Sequence, residues 1–244
     1  MGRLVELVSP VRHLLPEVEA PLKRIAFRDK LLWTAVTLII YLICSQVQLY
    51  GSWRGESQAD PLYCLRDILA SKRGTLMELG VQPVLTSAMF LHLLLSLRLI
   101  DVNMGSKTDR ELFIATQKLL TLVLTLVEAL VCLFSGLYGP VALLGTFKAV
   151  MIVVQLLMSS VILLLLDELI QKGYGLGNGV SLFVAVNVCQ DVFAGAISPI
   201  SVPTENGMEY EGAVLNALNL LWAESNKMKA LKRGFFRADA ANLF

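Results

Sequence analysis

Residues 163–187 read LLLLDELIQKGYGLGNGVSLFVAVN. Two apolar flanks enclose Asp167, Glu168 and Lys172, followed by glycine at every second position: Gly173, Gly175, Gly177 and Gly179. Flanks of this length belong to bilayer spans. The middle must then be a tight polar turn at a membrane face, opening directly into another span.

The rest of the chain fits a membrane setting. Of its 244 residues 55% are hydrophobic and 17% charged, and the mean hydropathy is +0.64. Soluble domains carry about 25% charged residues. Runs without charge cover 31–53, 79–97, 129–147, 149–166 and 173–190. A helix needs roughly 20 such residues to cross a hydrocarbon core of about 30 Å. Five spans are expected, near 31–50, 76–97, 118–138, 146–166 and 176–196, with Glu128 near the middle of the third. The first thirty residues are charged throughout and lack an apolar core, so no cleavable leader is expected and the first span must direct insertion.

Five spans place the two ends on opposite sides. One side holds Arg3, Arg12, Lys23, Arg24, Arg28, Lys30, Arg98, Lys107, Arg110, Lys118 and Lys172. The other has only Arg54, Arg66, Lys72, Arg73 and Lys148 close to a span. Positive charge near spans favours the cytosol, so the N-terminus is expected there. The basic tail after 226 lies beyond the reach of that rule. Leu4, Leu7, Val8, Val11, Leu14 and Leu15 share a helical face and suit a segment lying on the membrane surface.

Several pieces are not simple spans. Asp60-Pro61 is a helix start, with a cap followed by a preset proline. Leu62, Leu65, Ile68 and Leu69 recur at helical spacing, and Gly74 can end the helix. Such a helix, carrying Arg66, is an interfacial loop helix or a re-entrant one in a wet cavity. Thr75 and Glu78 form a capping-box pattern at the start of the second span. Pro83, one turn further in, should bend that span. Val81 and Leu85 share a face, as do Val180 and Val184; aliphatics there are ordinary lipid-facing or core residues. Glu128 at mid-bilayer is costly and must face a cavity, a partner or the bundle interior. Asp167 and Glu168 are adjacent rather than facing, and are expected to cap and solvate a span end near Lys172.

No enzymatic motif survives inspection. GYGLGNG lacks the glycine a dinucleotide loop needs at Asn178, and a membrane helix precedes it instead of a strand. The same Asn178 replaces the aspartate of an intramembrane protease GLGD. LFSG at 133–136 lacks the first glycine of a GxSG. Cys44, Cys64, Cys132 and Cys189 form no CxxC, and His13 and His92 are far apart, so neither a metal nor another cofactor is expected.

The segments LLWTAVTLIIYLICSQVQLYG, ADPLYCLRDILASKRGTLMELGVQPVLTS, DRELFIATQKL, LLLDELIQKGYGLGNGVSLFVAVNVC and GMEYEGAVLNAL together resemble the SecY family. The likeness is nearest to the alpha subunit of the eukaryotic endoplasmic-reticulum translocon. It runs in order along nearly the whole chain, and RGTLMELG and DELIQKGYGLGNGVSLF are its most specific parts.

The resemblance implies an all-α polytopic membrane protein: five transmembrane helices plus a short re-entrant plug helix. It would be one half of a ten-helix inverted-repeat channel. The segments would be a cytosolic stretch at 1–30, a membrane domain at 31–197 and a lumenal loop at 198–244 leading to a missing sixth span. The plug would contain Asp60, Pro61, Leu62, Leu65, Arg66, Ile68 and Leu69. Val81, Leu85, Val180 and Val184 would belong to a pore ring, where aliphatic side chains can exclude water yet part around a passing chain. Thr86 and Glu128 would form the polar cluster of a lateral gate. The family usually has glutamine at position 128: a neutral Glu128 would mimic it, an ionised one would favour a wetter gate.

The implied partners are the beta and gamma translocon subunits, the ribosome, nascent polypeptides with their signal sequences, the lipid bilayer, and a complementing C-terminal half. The implied function is passive protein conduction at the endoplasmic reticulum, with energy from a partner. The competing class is half of an inverted-repeat secondary transporter, which would need polar groups converging at the midplane.

Overall fold

The computed structural model describes residues 16–21, 23, 25–51, 66, 68–99, 106–138, 145–204, 207–223 and 228. Helix α1 spans Phe27–Gln46, α2 Gln82–Ser96, α3 Lys107–Phe134 and α4 Thr146–Leu169, which runs into a π-helical turn at Ile170–Tyr174. Helix α5 spans Gly179–Ile197. Strands β1 (Ser201–Thr204) and β2 (Gly207–Tyr210) and helix α6 (Ala213–Ala223) follow. Among the described residues three helical stretches are long and apolar enough to cross a membrane: Asp109–Phe134, Thr146–Tyr174 and Gly179–Ile197.

The burial pattern of α1 is the reverse of a water-soluble helix, with polar residues inside and apolar ones outside. Its buried residues are Thr34, Thr37, Tyr41 and Ser45, one turn apart along a single stripe. Leu31, Leu32, Ile39 and Ile43 are exposed. In a bilayer apolar side chains gain nothing by leaving lipid, so small and polar residues take the helix contacts. The hydroxyls satisfy themselves locally: Thr34 donates to the Lys30 carbonyl and Ser45 to that of Leu42.

The same logic joins α2, α3 and α4, where α3 packs on both neighbours. Ser87 and Thr121 share a buried hydrogen bond of 2.7 Å, and Thr125 and Ser160 one of 2.8 Å. Thr121 and Thr125 lie one turn apart on α3, so one face of that helix binds both partners.

The second span departs from expectation. Its helix begins at Gln82 rather than near 76, because residues 70–81 form consecutive turns with Gly74 and Gly80 at positive φ. Pro83 therefore occupies the first turn, where no intrahelical bond is lost, and it starts the helix instead of bending it. Thr75 and Glu78 do not form a capping box. The Thr75 hydroxyl donates to the Lys72 carbonyl, and Glu78 accepts the Gly74 N–H.

The chain forms two compact units, 1–185 and 186–244. In the second, β1 and β2 pair antiparallel with Ser201 opposite Tyr210. This short hairpin sits in a chain that is otherwise helical among the described residues, in line with the expected all-α class. Ser198 donates to Glu211, and Asn216, wholly buried, donates to Glu209.

Candidate functional site

The glycine-rich turn uses its glycines in two ways. Gly173 (φ 104°) and Gly177 (φ 79°) hold left-handed conformations that turn the chain. Gly175 and Gly179 provide closeness instead. A Cβ on Gly175 would lie 3.0 Å from the Ile170 side chain, and one on Gly179 would lie 3.0 Å from the Asp167 Cα. The turn docks on α1: the Leu176 N–H donates to Thr34 over 3.0 Å, and Trp33 meets Tyr174 edge-on. Asn178, where the nucleotide and protease motifs fail, caps α5. Its side chain accepts the Val180 N–H at 3.3 Å, and its carbonyl accepts the first helical bond from Leu182.

This capping sets the phase of α5. Val180 and Val184 pack against a buried cluster that contains Val81, Val84, Tyr41, Ala70 and Phe183. Three of the four expected ring aliphatics therefore belong to or border one buried cluster. Leu85 is exposed on α2 and stands outside that cluster.

Of the expected plug helix, Asp60, Pro61, Leu62 and Leu65 lie outside the described residues. Its end is well fixed. Arg66 and Ile68 are helical, and Ile68 is exposed. Both terminal nitrogens of Arg66 donate to Glu78 at 3.3 Å. Ser71 donates to the Glu78 carbonyl, and the Val81 N–H donates to the Leu69 carbonyl over 2.9 Å. Gly80 (φ 55°) allows this approach, since a Cβ there would lie 2.3 Å from the Leu69 oxygen. Glu78 thus holds the end of one helix against the turn that starts the next.

The expected pair Thr86 and Glu128 does not bond. The Thr86 hydroxyl donates to the Gln82 carbonyl at 2.9 Å. Glu128 Oε2 is buried with no hydrogen-bond partner among the described residues. The polar contact between α2 and α3 is made by Ser87 and Thr121 instead. Hydroxyls at one-turn spacing within apolar runs are the signal that could have singled these out.

Asp167 and Glu168 are buried rather than solvated, which corrects the expectation for them. Glu168 Oε1 lies 2.7 Å from Lys118 Nζ and 2.8 Å from Lys172 Nζ. Lys172 also pairs with Glu17 at 3.1 Å and donates to the Val18 carbonyl, and Lys118 donates to that of Pro16. One carboxylate gathers Lys118 of α3 and Lys172 beyond the end of α4, and these two lysines fasten residues 16–18. Asp167 accepts the Gln171 side chain and lies against the backbone of Gly179.

Comparison with known proteins places these features. The SecY family model matches residues 75–230, and the model of the plug domain of Sec61p matches residues 39–74. A protein transport protein SEC61 subunit alpha from Neurospora crassa is 46% identical over 241 residues, which are 99% of this chain and 50% of the relative. The chain thus spans about half the length of that relative. Sec61 in the canine ribosome-channel complex from the endoplasmic reticulum superposes with a TM-score of 0.70 at 31% identity, covering 91% of this chain and 48% of the other. A SecY structure whose plug domain stabilises the closed state of the translocation channel and maintains a membrane seal gives a TM-score of 0.67 at 30% identity. It covers 91% of this chain and 47% of the other.

Proposed function

The chain belongs to the SecY family, and we propose that it supplies the pore-forming half of a protein-conducting channel. That channel translocates secretory polypeptides and inserts membrane proteins at the endoplasmic reticulum. What chiefly supports the reading is the joint at 66–81: the plug's base is sewn to Val81, and Val180 and Val184 pack on the same buried cluster. Aliphatic side chains gathered beside a detachable segment suit a seal that opens without charge.

In this reading five spans and a plug at about 60–74 make one wall of the pore, with the N-terminus cytosolic. The sections are 1–30, 31–197 and 198–244, the last on the lumenal side. A complementing half supplies the other wall, since relatives such as the Neurospora protein carry as much chain again. The partners are the ribosome, beta and gamma subunits, nascent chains with signal sequences, and the bilayer. Val81, Leu85, Val180 and Val184 line the constriction. Thr86 and Glu128 face the gate. The unpartnered oxygen of Glu128 is suited to accept from a polar group on that second wall. The channel is passive, and a partner provides the energy.

A transporter half is disfavoured: the relatives that match are protein transport proteins, and Thr86 and Glu128 share no hydrogen bond. Depleting the protein from cells distinguishes the two. Secretory precursors should accumulate uncleaved outside the endoplasmic reticulum. Normal precursor processing beside a small-solute transport defect would favour the transporter.

A further inference from the structure

Tyr41 lies in the middle of an apolar bundle and is wholly buried. A phenol oxygen placed there must find a partner. It donates to the carbonyl of Ala70 over 2.9 Å, across 29 residues of chain. Ala70 is wholly buried too and has φ 51°, a left-handed conformation that a non-glycine residue keeps only where its surroundings impose it. The bond therefore reaches a strained point at the plug's base.

The ring of Tyr41 has a second contact. It stacks on Phe183, with centroids 4.9 Å apart and planes 25° from parallel. Phe183 is wholly buried and adjoins Val184 on α5. One side chain thus grips the plug's base with its hydroxyl and the helix carrying Val180 and Val184 with its ring. The Val81–Leu69 bond secures the same joint from α2.

We infer that Tyr41 is a positioning residue that holds the plug's base in the resting channel and keeps it in register with α5. The inference rests on the channel reading above. Removing only the hydroxyl leaves the ring stacked and deprives a buried carbonyl of its donor. The docked plug then loses an interaction that an undocked plug does not have, and the undocked population rises.

The test is Tyr41→Phe in the full-length channel complex, reconstituted in planar bilayers. Conductance per folded channel is measured at rest and with a stalled nascent chain holding the pore open. Resting conductance should rise about 3- to 10-fold, with the chain-opened conductance unchanged. A merely structural hydroxyl would lower melting temperature and folded yield while resting conductance stayed at the parent value; that result overturns the inference. If the parent complex conducts nothing even with a chain trapped in it, the channel reading itself fails.

Discussion

Replacing Gly80 with alanine should break the joint between the plug's base and α2. Two costs coincide at this position. The backbone has φ 55°, which costs an L residue roughly 1–2 kcal/mol. The new Cβ would also lie 2.3 Å from the Leu69 oxygen and 2.7 Å from that of Ala70. Both obstacles are backbone atoms, so no rotamer change relieves them. Overpacking of this kind costs about 1–3 kcal/mol, and the chain escapes it by moving 69–70 away. That movement severs the Val81–Leu69 bond and shifts the Tyr41 acceptor.

Gly74→Ala is the natural control. It has φ 72° with nothing within 4 Å of its Cβ position, so it bears the conformational cost alone. Thermal unfolding of the purified complex should show Gly80→Ala losing well over twice as much stability as Gly74→Ala. Equal losses would mean that the close approach at Gly80 is unimportant.

The second large effect is expected at Glu168. Its carboxylate serves Lys118, whose side chain is only 8% exposed, and Lys172, which is 22% exposed. Glu168→Ala leaves two ammonium groups facing each other, one of them buried. Stranding a buried charge costs about 3–5 kcal/mol, and the strap at 16–18 loses its fastening with it. Lys172→Ala should cost less, about 1 kcal/mol, because Glu168 keeps Lys118 as its partner at 2.7 Å and the lost pair with half-exposed Glu17 is screened by water and salt. Replacing both buried partners, Lys118→Met with Glu168→Leu, should recover most of the loss, since an apolar pair of similar size carries no desolvation penalty. Thermal melts in low and high salt check all three. A Glu168→Ala protein as stable as the Lys172→Ala protein would contradict the buried network.

The apolar runs made the membrane class and the main helices plain, because bilayer length and charge exclusion act on contiguous sequence. The start of α2 was misplaced although its signal was present: Pro83 in a first turn, after Gly74 and Gly80, marks a helix beginning at Gln82. The capping-box spacing of Thr75 and Glu78 is a stronger local pattern and points to the wrong start. Asp167 and Glu168 looked solvated because the partner that buries Glu168, Lys118, stands 50 residues earlier. The bond from Tyr41 to Ala70 is hidden in the same way, since a tyrosine in an apolar run announces that it needs an acceptor but not which one. The convergence of Val81 with Val180 and Val184 is invisible to periodicity, which gives each pair a face but no common target. Only the resemblance joined them, and Leu85 lies outside the buried cluster that they share.

The pore assignment is tested most directly by placing a photoreactive residue at Val81 or Val184 in the complete channel and stalling a nascent secretory chain within it. Irradiation should join the stalled chain to the channel from both positions, and Ile43 on the exposed face of α1 should give no such product. Labelling of lipid or neighbouring helices alone from Val81 and Val184 would contradict the assignment of these side chains to the path of the polypeptide.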